Sequence, residues 1–145
     1  MNNPQPAFEL PQEDYQLLYN IATQKSAIGD YPAAIKILNF LVLAVPGEQV
    51  KYLKALAGCL HHQENFAEAI HFYLRSYFAE SDANADCLLF TTDCLMKLNR
   101  VQEAHETLAL LLKEYGTNPD YAQLMVKAKL LHRVTANKLQ TATIT

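Results

Sequence analysis

Apolar residues recur along this chain in pairs of helical stripes, and the pairs themselves repeat every 35 residues. Units are counted here from Tyr15, Val50 and Ala85. The first stripe holds Leu18 and Ile21, then Leu53 and Leu56, then Leu88 and Thr91, at unit positions 4 and 7. A spacing of about three to four residues marks one face of an α-helix. A second stripe carries Leu38, Tyr73 and Leu108 at position 24, preceded by Tyr31, Phe66 and Val101 at position 17. Small residues stand at position 8 (Ala22, Ala57, Thr92) and at position 20 (Ala34, Ala69, Ala104). The pattern predicts two antiparallel helices per unit, with backbones that approach closely at those small side chains.

The intervening residues agree. Gly29-Asp30 suits a turn after a first helix, and Pro32 suits the opening turn of the next, where its missing N–H costs little. Glu64-Asn65 and Asn99-Arg100 occupy the same slot, Pro46-Gly47 closes unit one, and Ser81-Asp82 with Asn84 closes unit two. No stretch alternates apolar and polar residues for long enough to predict a strand. The fold class is therefore all-α, with units expected over about 15–49, 50–84 and 85–118. Asn118-Pro119 opens a last helix, expected over 119–139, in which Tyr121, Leu124, Met125, Ala128 and Leu131 share one face that can cover the open end of the stack. Residues 1–12, with Pro4, Pro6 and Pro11, are expected as a flexible arm, and residues 140–145 as a disordered, fraying tail.

Small residues at positions 8 and 20, aromatic or aliphatic residues at 17 and 24, and Pro46 at position 32 resemble the tetratricopeptide repeat. The period here is longer than the usual length of about 34 residues, and leucine replaces the usual aromatic at position 4. The resemblance implies three tandem helical hairpins in a right-handed superhelix with a C-terminal capping helix.

Composition narrows the function. Half of the residues are hydrophobic, and the 145-residue chain contains eight tyrosines and six phenylalanines, which is a globular composition. The net charge of −3, without a lysine or arginine cluster, argues against nucleic acid or an anionic membrane as the primary partner. No apolar run approaches a membrane span, so no membrane insertion is expected. MNNPQPAFELPQ lacks a basic segment followed by an apolar core, so a chain that is not exported, with reduced thiols at Cys59, Cys87 and Cys94, is expected. There is no Gly-rich phosphate loop, no HExxH and no CxxC. Cys87 and Cys94 read as small buried residues. Cys59 with His61 and His62 falls short of the four ligands of a closed zinc site. His71, His105 and His132 stand singly. Glu13, Asp14 and Glu103 are helix-start acids, favourable near the positive end of a helix dipole. The expectation is a protein without enzymatic activity, metal or cofactor.

A different stripe on each first helix, at positions 2, 5, 9, 12 and 13, is expected to line the concave side of the stack. It comprises Gln16, Tyr19, Thr23, Ser26 and Ala27; then Lys51, Lys54, Gly58, His61 and His62; then Asp86, Leu89, Asp93, Met96 and Lys97. The candidate peptide-binding residues within it are Tyr19, Thr23, Ser26, Lys54, Gly58, His61, His62, Leu89, Asp93 and Met96. Small side chains there admit an extended backbone, and Tyr19 and Leu89 offer apolar contact.

Three segments, LYNIATQKSAIGDYPAAIKILNFLVLAVP, YLKALAGCLHHQENFAEAIHFY and DCLLFTTDCLMKLNRVQEA, resemble the class II chaperones of bacterial type III secretion. The likeness covers about residues 17–135. Its specific pieces are Leu18-Tyr19, the run Ala55 to Cys59, and Cys94-Leu95. It implies a bacterial cytoplasmic chaperone that keeps a hydrophobic, partly disordered translocator or effector soluble, with an extended client segment in the groove. Tyr19 matches a groove aromatic of that family, whereas Thr23 and Ser26 fall where members often carry further aromatics. The family's longer N-terminal region contains a helix that assists dimerisation; the resemblance thus leaves a homodimer open, without that helix. The other readings are a generic tetratricopeptide adaptor and a needle-subunit chaperone.

Two expectations follow from the pattern. Ala69→Leu should overpack the helix crossing and lower stability by roughly 1–3 kcal/mol in a denaturation midpoint. Tyr19→Ala and Leu89→Asp should weaken client binding while leaving helix content intact by circular dichroism.

Overall fold

The computed structural model describes residues 9–144. Seven α-helices follow one another: α1 (Gln12–Ala27), α2 (Tyr31–Ala44), α3 (Val50–His62), α4 (Phe66–Ala79), α5 (Ala85–Lys97), α6 (Val101–Tyr115) and α7 (Ala122–Ile144). Short 3₁₀ turns at Ser81–Ala83 and Pro119–Tyr121 precede α5 and α7, and no strand occurs among the described residues. Each helix packs chiefly against its neighbours in sequence, which is the contact pattern of an open stack of hairpins.

The helices begin and end where local chemistry dictates. At the end of α1 the Asp30 N–H donates to the Lys25 carbonyl at 2.8 Å and the Gly29 N–H to that of Ser26 at 3.0 Å. This pair of bonds is a Schellman cap, which needs a left-handed residue just past the helix. Gly29 supplies it with φ +83°. The same two bonds recur at Glu64 and Asn65 and again at Asn99 and Arg100. Glu64 and Asn99 accordingly both adopt φ 59°. Asp30 then caps α2 by accepting the Ala33 N–H at 3.3 Å, with Pro32 in the first turn.

The repeated small residues sit at the helix crossings. Ala22, Ala57 and Thr92, like Ala34, Ala69 and Ala104, have no exposed surface at all. Leu38, Tyr73 and Leu108 are buried beside them. Thr92 tolerates its site because its hydroxyl donates to the Leu88 carbonyl at 2.9 Å, and Thr91 does the same to Cys87 at 2.8 Å. One buried cluster joins units one and two through Ala22, Leu38, Leu56 and Tyr73. A second joins Leu88, Leu108, Leu111 and Tyr115 to Met125 and Ala128 of α7, which covers the end of the third unit. The turn before α5 is pinned by tyrosines: Tyr115 donates to the Ser81 carbonyl at 3.0 Å, and Tyr121 donates to that of Asp82.

All three cysteines are buried and free. Burial pushes the Cys87 and Cys94 thiols up to about 12, well away from reactive thiolates. His105 and His132 stack at 4.2 Å between α6 and α7, and His105 Nδ1 lies 2.7 Å from the hydroxyl of the buried Thr135.

The ends differ from the sequence reading. Most of the expected arm, residues 1–8, lies outside the described residues. Leu10 is not loose: its N–H donates to the Tyr15 hydroxyl at 3.1 Å and its side chain packs on the first core cluster. The tail expected over 140–145 is helical as far as Ile144. No glycine or proline follows Pro119 to stop α7, and Thr141 and Thr143 satisfy their hydroxyls on the Asn137 and Gln140 carbonyls at 2.5 and 2.7 Å. Their polarity is absorbed by the helix backbone.

The caps give a stability prediction. Glu64 is exposed and left-handed, so Glu64→Gly should raise stability by about 1 kcal/mol by removing the Cβ clash. A lower urea midpoint for Glu64→Gly would contradict the cap assignment.

Candidate peptide-binding groove

The first helices of the three units present the expected second stripe on one face, and polar contacts tie its members together across units. Lys51 Nζ donates to Gln16 Oε1 at 3.1 Å, joining α3 to α1. Further along the same pair, Cys59 Sγ lies 3.7 Å from Ser26 Oγ. Lys54 Nζ reaches both carboxylate oxygens of Asp86 at 3.2 and 3.0 Å, joining α3 to α5. His61 Nε2 lies 2.7 Å from Asp93 Oδ2, and its Nδ1 lies 3.0 Å from the Tyr73 hydroxyl. Burial raises the Tyr73 hydroxyl well above the usual phenol range, so it remains a donor. It therefore donates to Nδ1, which leaves the proton of a neutral ring on Nε2, aimed at Asp93.

Three hollows run along this face. The first, of about 110 Å³, lies between α1 and α3 and is lined by Ala22, Thr23, Ser26, Leu38, Ala55 and Cys59. The second, about 420 Å³, is lined by Lys54, Gly58, His61, His62, Tyr73 and Phe90. The third, about 330 Å³, is lined by His61, Leu89, Phe90, Asp93, Lys127 and Leu131. His61 and Phe90 stand between the second and third and form a wall to each. The Phe90 ring leans on Tyr73 at 5.3 Å and is 39% exposed.

The structure brings Thr23, Ser26, Lys54, Gly58, His61, His62, Leu89 and Asp93 to these hollows. Tyr19 lies at the end of the row, its ring 5.4 Å from Tyr52 and 5.0 Å beneath Lys51 Nζ. His62 stacks flat on Tyr31 at 4.8 Å. Met96 is half-buried and lines none of the three. Leu89 is only 6% exposed and belongs to the core cluster capped by α7, so it is mainly a structural residue. That corrects its expected part as an exposed apolar contact, which Phe90 fills instead. Of the charged residues on the stripe, Lys54 meets Asp86, while Asp93 meets His61.

The sequence reading missed Ala55, Tyr73, Phe90, Lys127 and Leu131. Ala55 and Phe90 share unit position 6, next to the stripe that was chosen. Tyr73 was assigned to the core of the second helix, and its hydroxyl reaches through to the groove.

Gly58 is informative. It sits mid-helix, where glycine costs about 1 kcal/mol relative to alanine, yet a Cβ there would meet nothing within 4 Å. No packing demand explains the residue; its effect is to leave the floor of the second hollow open.

On the opposite side of the stack, between α4 and α6, lies an apolar furrow of about 380 Å³ that includes Ile70, Leu74, Phe78 and Leu110. Among the described residues no helix is long and apolar enough to cross a membrane.

A tetratricopeptide-repeat family model matches residues 60–130. Comparison with curated proteins finds no sequence match. The structure is similar to the Yersinia enterocolitica type III secretion chaperone SycD in complex with a peptide of the translocator YopD. The TM-score is 0.79 at 18% identity, over 90% of this chain and 98% of that one. It is similar to PcrH from Pseudomonas aeruginosa (TM-score 0.76, 15% identity, 88% of this chain and 96% of that one). The likeness extends to PcrH in complex with the chaperone binding region of PopD (TM-score 0.80, 14% identity, 92% and 98%). The chain has the all-α tetratricopeptide-repeat fold of these structures.

The groove makes a prediction that separates surface from core. Gly58→Leu should fill the second hollow and abolish peptide binding while the urea midpoint holds or rises. Leu89→Asp should instead lower stability by roughly 2–5 kcal/mol, since it places a charge in the core. A stable Leu89→Asp protein with native helix content would contradict its placement.

Proposed function

We propose that the protein is a bacterial cytoplasmic chaperone of type III secretion, without catalytic activity, which holds an extended segment of a secreted translocator or effector along its concave face. The observation that carries this reading is the row of three hollows, the second floored by Gly58 and the second and third walled by His61 and Phe90, on a fold shared along nearly its whole length with a chaperone solved with a peptide of a translocator. Open, partly apolar hollows with few fixed polar groups suit side chains of an extended chain better than a small reactant. The buried Cys87 and Cys94 thiols, held protonated, supply no nucleophile, and the His61 ring in the groove is tied up between Asp93 and Tyr73.

Physically the task fits the surface. A client with membrane-seeking segments exposes apolar area that aggregates in water, and early capture masks it. A disordered client gives up ordering entropy on binding, so the affinity per area stays moderate and release remains feasible. The first hollow is small, about 110 Å³, which favours a client with a small side chain there.

The experiment is co-expression with secreted proteins encoded beside this chain. One of them should move from the insoluble to the soluble fraction and co-elute with the wild-type chain, and the Gly58→Leu variant should lose it. A neighbour that is soluble alone and bound through its C-terminus would instead make the chain a scaffold, and capture of a needle subunit would make it a needle chaperone. Absence of any co-eluting secreted protein would end the proposal.

A further inference from the structure

Charge is spread unevenly along this chain. All fifteen acidic residues precede α7, together with eight of the twelve lysines and arginines, so residues 1–121 carry a formal −7 and α7 carries +4. None of the four cations of α7, Lys127, Lys129, Arg133 and Lys138, belongs to an ion pair among the described residues. Lys127 lines the third hollow beside Asp93. α7 turns Met125, Ala128 and Thr135 inward, so at about 100° per residue Val126, Leu130 and Arg133 fall together on its outer side, flanked by Lys129. Val126 and Leu130 are 71% and 53% exposed there. That edge is apolar, basic and uncovered.

The furrow at the back of the stack has a complementary character. Leu74 and Phe78 of α4 and Leu110 of α6 wall it, and Leu88 and Leu95 of α5 floor it. Phe78 is 77% exposed on that wall. The charged residues of the lining are Arg100, Glu103 and Glu106, and Lys113, one turn beyond Leu110, lies outside it. Arg100 is bound to Glu103 at 2.5 Å, whereas Glu106 meets only the Gln102 amide at 2.9 Å, which leaves one negative charge on the rim. Between α2 and α4 the place of Leu110 is taken by Arg75, which Glu48 holds at 2.7 and 3.1 Å, so the apolar wall does not repeat there.

We propose that this furrow receives the outer edge of α7 from a second copy of the chain, with Val126 and Leu130 between Phe78 and Leu110 and with Arg133 on Glu106. The register is matched: Glu106 stands one turn before Leu110 and Arg133 one turn after Leu130, so an antiparallel α7 aligns both pairs. A space of about 380 Å³ admits the side chains of a helix edge but not a whole helix, which is about 10 Å across. Docking covers apolar side chains that water now touches on both surfaces and pairs the opposite charges left on each. Self-association of this kind is independent of what the concave face holds.

The test is sedimentation velocity of the full chain at low salt. The average mass should rise above that of one chain between about 10 and 100 µM. Glu106→Lys and Arg133→Glu each set like charges together at the contact, and each should weaken association about tenfold with unchanged circular dichroism. In an equimolar mixture of these two variants every contact between unlike chains again joins opposite charges, so association should return to wild-type strength. Leu110→Asp should abolish it. A wild-type chain that stays monomeric at both concentrations overturns the docking, and if Leu110→Asp then loses a co-eluting secreted protein, the furrow belongs to the client. Association that neither charge reversal weakens overturns it as well, and so does a mixture that fails to recover. The concave groove is judged separately, because it falls only if Gly58→Leu leaves client capture intact.

Discussion

The whole arrangement depends on close approach of helix backbones at six residues without exposed surface: Ala22, Ala57 and Thr92 on first helices, and Ala34, Ala69 and Ala104 on second helices. Interiors pack near crystal density, so a larger side chain at any of them must displace a helix or be strained. Because these crossings recur in step, each hairpin meets the next in the same way. The chain therefore adds up into a stack in which α1 to α7 lean on their neighbours in sequence. A stack of this kind leaves an uncovered face on its first helices, and that face is the groove.

Polar groups follow the same period. Gln16 with Lys51, Ser26 with Cys59, Lys54 with Asp86 and His61 with Asp93 all bridge one unit to another over 32 to 35 residues of sequence. Half-exposed pairs of this kind each contribute at most about 1 kcal/mol, so they do not hold the stack together. Their role is orientation. They fix the rims around Phe90 and the space over Gly58. Tyr73 shows how tightly core and groove are joined, since its ring packs in the first cluster while its hydroxyl orders the His61 ring.

The hairpin caps show a local rule that outlasts its residue type. Gly29 is the residue expected at a left-handed cap, yet Glu64 and Asn99 take the same conformation with the same two backbone bonds. In those units the packing of the hairpin overrides the local preference, at a cost of about 1–2 kcal/mol for the left-handed glutamate. The repeat period, more than the residue, sets the turn.

The sequence by itself determined the helices, the turns and the crossings, because helical spacing and small residues in register are local properties that packing merely completes. Tyr31, Phe66, Leu38 and Leu108 stand where the pattern placed them, and so does the apolar face of α7 at Met125 and Ala128. The lining of the groove was legible only in outline. Leu89 and Phe90 are adjacent on one helix, about 100° apart around its axis, and nothing local says which of them α7 will cover. Position 5 is half-buried at Tyr19 and Lys54 but buried at Leu89, because a capping helix and not another hairpin follows unit three. The parts played by Lys127, Leu131 and the Tyr73 hydroxyl were settled by tertiary packing for the same reason. Which side chains share a hollow depends on how separate helices come to rest against each other, and no spacing along one helix encodes that.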